Sequence, residues 1–250
     1  IKKFVTHKVN VSLHALIRKN NIPSIKIFTK NNFVIKKKIP KVLSNEPIKD
    51  LLCYELKQEL KKKEILFLGY TDKRTILIKF LEKKKFKVIQ HGNKNLNLKK
   101  LNKYFCIISF GYKKIIKQNI ISKLKKPILN LHIAYLPYNR GAHPNYWSFA
   151  ENTPNGISIH EIDRGIDTGK LVLRKKMMFK NIKEKTFQET YEILKSGIEK
   201  LFIQNHSLLI NGLYKAEQLK LKGTIHYQKE LPKNLTNWNV KILDYLKNNI

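Results

Sequence analysis

With 250 residues and 42% apolar side chains, the chain is long enough to bury the core of one ordinary α/β domain with an appendage, and two domains are the upper bound. Two cysteines, Cys53 and Cys106, do not imply a disulfide framework and fit a reducing, cytoplasmic compartment, and no uncharged apolar run approaches membrane-spanning length. The formal charge of +33 is carried almost wholly by scattered lysines, with Arg only at 18, 74, 140, 164 and 174; this reads as compositional drift rather than a built polyanion surface, where Arg forks would concentrate on one face.

Residues 1–62 read as a leader, or as the tail of an upstream domain, with no chemical motif. The chain opens on Ile1 rather than Met, which leaves a missing N-terminal stretch or a signal segment open. Two β-like runs at 24–29 and 32–39 precede a boundary at Pro40. Pro47 then opens a predicted helix carrying Ile48, Leu51, Leu52, Leu56 and Leu60, with Lys61, Lys62 and Lys63 at its C-terminal end.

From Lys63 the pattern alternates. A buried strand at 65–69 is followed by Asp72 as a helix cap, an apolar helix face at 76–81, and further strands at 87–89, 104–110 and 128–132. Such alternation predicts an α/β domain over 63–212, with a mostly parallel, Rossmann-like sheet and helices on both faces, whose ligands gather at the carboxyl ends of the strands. Gly111 and the Asn130 region fall at such ends. Gly69 lacks the GxGxxG or Walker pattern, so neither a dinucleotide site nor a P-loop is supported. Two more strands are expected at 157–162 and 170–179. Thr186-Phe187-Gln188-Glu189 is then a capping box that opens an amphipathic helix through Phe187, Tyr191, Leu194, Ile198 and Leu201, ending at Gly212. Residues 213–250 form a short helical tail that packs on the domain or shapes a pocket.

The chemistry concentrates in 130–169. Asn130 and His132 are two residues apart, so on a strand their side chains leave the same face, where an amide and an imidazole can converge on one carbonyl. Asp167, on the flexible Gly165-Ile166-Asp167-Thr168-Gly169 loop, can fold back beside that imidazole. Amide, imidazole and carboxylate together suit acyl transfer. No His or Cys spacing resembles a metal-ligand set, so no metal is expected. His160 alternates with Ile157 and Ile159 and is either a packing residue or a functional one; the same choice stands for His143 on the Gly141 loop. The aromatics Tyr135, Tyr138, Tyr146 and Trp147 either stack a base or sugar or close the core.

Asn130-Leu131-His132, the loop Leu136-Pro137-Tyr138-Asn139-Arg140-Gly141, and Gly156-Ile157-Ser158-Ile159-His160 leading to Asp167 together resemble the core of the folate-dependent formyltransferases, a family that includes sugar N-formyltransferases, methionyl-tRNA formyltransferase and glycinamide ribonucleotide formyltransferase. The stretch 109–116 also matches, and the resemblance covers about residues 64–180. It implies transfer of a formyl group from 10-formyltetrahydrofolate to a primary amine, with Asn130 donating to the oxyanion, His132 donating to the same oxygen or relaying a proton, and Asp167 orienting the imidazole, raising its pKa and taking up the amine's proton. It also implies that Phe110, Gly111, Tyr112, Ile115, Ile116, Ile162, Asp163 and Gly165 hold the folate, and that Tyr138, Arg140, Gly141, His143, Trp147 and His160 face the acceptor.

Gly141 is followed by Ala-His-Pro-Asn-Tyr-Trp rather than the Ala-rich stretch of the methionyl-tRNA enzymes, and the tail is too short for their C-terminal barrel. With its aromatic Pro-Asn-Tyr-Trp loop and its GTIHYQKELP tail, the unit from 64 onward looks more like the small formyltransferases associated with amino-sugar modification in surface polysaccharide synthesis, and that resemblance implies a nucleotide-linked amino sugar as the acceptor. The lysine excess keeps methionyl-tRNA as the alternative, and a non-catalytic polyanion binder with the same fold is a third reading. A homodimer is compatible with any of these.

Overall fold

The computed structural model describes residues 14–18, 20–30, 33–36, 51–56, 62–96, 98–220 and 222–249. The chain divides between Lys62 and Lys63 into two units. In the first, β1 (His14–Arg18), β2 (Phe33–Lys36) and β3 (Leu51–Leu56) form an antiparallel sheet in the order β1-β3-β2, and α1 (Ile22–Lys30) lies between the first two strands in sequence.

Two expectations for this unit are corrected. The run 24–29 is helical: Asn21 caps α1 by accepting from the Ser24 amide at 3.2 Å, and Pro23 sits in the first turn, where its missing N–H costs nothing. The predicted helix after Pro47 is instead strand β3 over 51–56. Its central place, with partners on both sides, supplies the backbone hydrogen bonds that a helix would have made internally. Pro40, Pro47, Ile48 and Leu60, which belonged to these expectations, lie outside the described residues.

The second unit is built on a six-stranded sheet, ordered β10-β9-β7-β6-β4-β5. Strands β4 (Glu64–Gly69), β5 (Lys87–Gly92), β6 (Cys106–Phe110) and β7 (Ile128–His132) are parallel; β9 (Gly156–Glu161) and β10 (Leu171–Lys176) continue the sheet antiparallel. Strand alternation sorts the apolar side chains into two layers. Ile65, Phe67, Ile108, Phe110, Leu129, Leu131, Ile157 and Ile159 pack with α2 (Leu77–Lys83) and α5 (Phe187–Asn211). Leu66, Leu68, Ile107 and Ile128 face the other way, onto Leu101, Ile116 and Ile120, the last in α3 (Gln118–Ile121). Cys106 lies buried in the first layer as a free thiol, and burial pushes its pKa up to about 12.

Asp72 does not cap α2. Glu199, buried on α5, accepts from Thr75 Oγ1 at 2.6 Å and from the Ile76 amide at 3.3 Å, so a carboxylate far away in sequence serves the N-terminus of α2. The capping box of α5 forms as expected. Thr186 Oγ1 accepts from the Glu189 amide at 3.1 Å, and Glu189 accepts from the Thr186 amide at 2.8 Å. Thr186→Ala is expected to lower stability by about 1 kcal/mol, read as a shifted midpoint at unchanged slope in urea unfolding.

Beyond Gly212 the chain returns to the domain. The two-residue strand β11 (Ile225–His226) pairs in parallel with β8 (Arg140–Gly141). Helix α6 (Ile242–Asn249) places Ile242 against Tyr146 of α4 (Pro144–Ala150) and Phe187 of α5. Among the described residues no helix is long and apolar enough to cross a membrane.

Candidate functional site

Because Leu129 and Leu131 point into the α2/α5 layer, Asn130 and His132 leave the opposite face of β7, near the carboxyl end of the parallel strands. The antiparallel register sets His160 of β9 directly opposite Asn130, and Ser158 opposite His132. Asp167, at φ 50°, closes the group from its loop.

The polar atoms form one connected cluster. Asn130 Nδ2 lies 3.0 Å from His160 Nε2 and donates to Asp167 Oδ1 at 3.2 Å. His160 Nε2 is itself 3.3 Å from Asp167 Oδ1, and His132 Nε2 is 3.6 Å from Asp167 Oδ2. The Gly141 amide donates to Asp167 Oδ2 at 2.8 Å, and His132 Nε2 contacts the Asn139 carbonyl at 3.2 Å. A carbonyl only accepts, so His132 carries its proton on Nε2 and its lone pair on Nδ1. By the same rule His160 carries a proton on Nδ1, which is 2.8 Å from the Glu161 carbonyl, and its Nε2 faces both Asn130 and Asp167.

The charge states follow from burial and neighbours. Burial alone would push the Asp167 carboxyl up, but His132, His160 and the Gly141 amide outweigh it and hold the group well below the usual carboxylate range. In His132, Asp167 raises the pKa as expected, but the net shift is downward. Burial, helped by the nearby His160, lowers its pKa and outweighs the raising effect of Asp167, so the resting imidazole is neutral.

Local backbone geometry explains the loops. Gly111 ends β6 at φ 68°, where a Cβ would meet the Tyr70 ring at 2.2 Å. Gly141 lies at φ 89°, where a Cβ would meet the His226 carbonyl oxygen at 2.2 Å, so glycine allows β11 to approach and the 141 amide to aim at Asp167. Asp163 holds the following loop by accepting from Thr168 Oγ1 at 2.6 Å and the Gly165 amide at 3.0 Å.

The other expected residues scatter more. Tyr112 and Ile162 pack half-buried on the same apolar layer as Ile116, with the Tyr112 hydroxyl donating to the Lys94 carbonyl at 2.7 Å. Ile115 is 82% exposed, and the Phe110 side chain packs edge-on against Tyr70 in the opposite layer, so only the backbone of Phe110 is on hand for a ligand near Asn130. Tyr146 closes the core against Phe187 and Tyr245. Trp147 stacks on His226, and His143, at φ 53°, stacks on Trp238; Nε1 of Trp147 and Nε2 of His143 are buried without a hydrogen-bond partner. Burial lowers the His143 pKa. Tyr138 is half-buried, and half-buried Arg140 pairs its backbone and Nε with the Thr224 carbonyl. His160 is 1% exposed and faces Asn130. Sequence reasoning missed the Asn139 carbonyl and the tail residues behind it; β parity alone could have placed His160, since Ile157 and Ile159 claim the other face. Among the described residues no cluster of His, Cys, Asp and Glu could hold a metal ion.

Comparison with known proteins points one way. The formyltransferase PseJ from Anoxybacillus kamchatkensis, solved in complex with UDP-4,6-dideoxy-4-formamido-L-AltNAc and tetrahydrofolate, is 36% identical; the match covers 72% of this chain and 96% of that one, with a TM-score of 0.65. A methionyl-tRNA formyltransferase from Thermodesulfovibrio yellowstonii is 31% identical over 150 residues, which is 57% of this chain and 46% of the relative. Another from Solibacter usitatus is 39% identical over 70 residues, 28% of this chain and 22% of the relative, so the chain spans less than half the length of these curated relatives. The family model described as formyl transferase matches residues 61–204, more than half of the chain. The chain belongs to the formyl transferase family.

Proposed function

We propose that this protein transfers the formyl group of 10-formyltetrahydrofolate to the primary amine of a nucleotide-linked amino sugar, and that Asn130, His132 and Asp167 carry the chemistry. The observation that carries the reading is the convergence of an amide, a neutral imidazole and an ionised carboxylate in one hydrogen-bonded cluster. A neutral amine attacking the formyl carbon leaves an oxyanion on the former carbonyl and an ammonium on nitrogen. One Asn130 amide proton, released from its 3.2 Å bond to Asp167, donates to that oxyanion. Nδ1 of His132 accepts the ammonium proton, and the negative Asp167 stabilises the imidazolium so formed. The proton then passes to the folate nitrogen as the carbon–nitrogen bond to it breaks, which releases tetrahydrofolate and the formamide.

The folate lies, in this reading, against Tyr112, Ile116 and Ile162 with the backbone of 110–111 and 163–165, and the acceptor against Tyr138, Arg140, His143 and Trp147. The sugar nucleotide is favoured over tRNA by the PseJ likeness, which spans nearly that whole chain at 36% identity and whose bound formamido sugar is what amine formylation yields. Methionyl-tRNA is the second reading, favoured by the curated relatives and by the charge of +33. Mass spectrometry after incubation with 10-formyltetrahydrofolate and a panel of nucleotide-linked amino sugars and methionyl-tRNA separates the two. A formylated sugar nucleotide is expected; formylated methionyl-tRNA alone would replace this acceptor with the second.

A further inference from the structure

We infer that the tail segment Gly223–His226 positions His132 and Asp167 by holding the 137–142 loop from behind, with Thr224 as the principal positioning residue. The loop touches the cluster through two backbone groups, the Asn139 carbonyl on His132 and the Gly141 amide on Asp167. Each is fixed from its other side by the tail. Thr224 Oγ1 accepts from the Asn139 amide at 2.8 Å and donates to Asn139 Oδ1 at 3.2 Å, and its carbonyl accepts from the Arg140 amide at 3.0 Å. The His226 carbonyl accepts from the Ala142 amide at 2.9 Å, directly beyond Gly141. Asn139, fully buried at φ 56°, sits in a left-handed conformation that the two Thr224 hydroxyl bonds hold in place.

The segment is built to fit this place. Gly223 passes so close to Pro137 that a Cβ would stand 1.8 Å from the Pro137 oxygen. His226 anchors the far end: its ring stacks on Trp147 at 4.0 Å and 8°, and Nε2 and Nδ1 lie 3.1 Å from Glu151 Oε1 and 3.7 Å from Glu230 Oε2. The Glu151 approach lacks hydrogen-bond geometry, so the ring is held there by its stacking on Trp147. The segment 224–226 thus holds the loop that presents both the acceptor of the His132 proton and a donor to Asp167. Its effect on turnover rests on the catalytic roles proposed above; its effect on the position of His132 does not.

The test pairs Thr224→Val with Thr224→Ser. Ring 15N resonances of His132 at fixed pH, assigned by their loss in His132→Gln, report its bond to Asn139 whether or not transfer is observed. Valine is expected to shift the Nε2 resonance and to lower kcat by roughly 10-fold or more at unchanged KM for both substrates, since small displacements of reacting groups are costly; serine is expected to restore both. In the unaltered protein, hydrogen exchange should show the Arg140 and Ala142 amides protected, a readout that does not depend on any variant folding. An unshifted His132 resonance in the valine variant, a serine variant that behaves like valine, or freely exchanging Arg140 and Ala142 amides would overturn the assignment. Lost transfer in the unaltered protein with a shifted His132 resonance in the valine variant would overturn the proposed activity and leave the positional role standing.

Discussion

His132→Gln and His132→Ala each lower kcat for formyl transfer by about 10²- to 10⁴-fold, the range that a positioned general base contributes. Glutamine fills much of the same space and keeps a donor that can reach the Asn139 carbonyl, but it has no basic nitrogen in place of Nδ1, so its loss isolates proton transfer from packing. The pH dependence gives the sign. His132 is depressed below its ordinary value of 6.5 because burial outweighs the Asp167 carboxylate. It is neutral and competent above its pKa and inactive when protonated, so kcat rises with pH through a limb centred below 6.5 and is flat above it as far as this group is concerned. The acceptor amine adds a limb of its own, and the two are told apart because only the His132 limb vanishes in the glutamine variant. A vanished limb centred above 6.5 would contradict a burial-dominated imidazole.

Asn130→Ala lowers kcat by about 10²- to 10³-fold, as expected for removal of one oxyanion donor, and leaves the KM for folate within a few-fold. The amide serves two purposes in the resting cluster. It bridges His160 Nε2 and Asp167 Oδ1, so alanine also leaves those two buried groups facing each other without the donor between them. A loss of stability is therefore expected along with the loss of turnover, and the two are separated by assaying well below the unfolding temperature with the circular dichroism spectrum unchanged. Turnover near that of the unaltered protein would remove Asn130 from the chemistry whatever its effect on stability.

The strands that carry the site were legible because each is a short apolar run with an abrupt end. Three of them, at 64–69, 106–110 and 128–132, carry apolar residues buried on both faces of the parallel sheet, and the strand at 87–92 closes its edge. The capping box at Thr186 and the shared face of Asn130 and His132 were legible for the same reason, since both depend only on spacing within one element. What stayed hidden depends on distant partners. Glu199 replaces Asp72 as the cap of α2 from across the domain, and β3 becomes a strand through its neighbours β1 and β2 rather than its own leucines. The antiparallel setting of β9, which brings His160 to Asn130, has no local signature, and the two-residue β11 is too short to have a period at all. Asp167 raises the His132 pKa as the sequence led one to expect, but the net direction is down because burial, which the sequence does not show, outweighs it.

The central claim is that the Asn130, His132 and Asp167 cluster moves a formyl group. The most direct measurement follows 10-formyltetrahydrofolate labelled with 13C in the formyl carbon by NMR, in the presence of a UDP-linked 4-amino sugar, with the unaltered protein and with Asp167→Asn. Asparagine keeps the size of the side chain and removes its charge, so the unaltered protein should convert the formyl resonance to a formamide resonance while the variant, still folded, does so at least about 10²-fold more slowly. Equal rates from the two proteins would contradict the account.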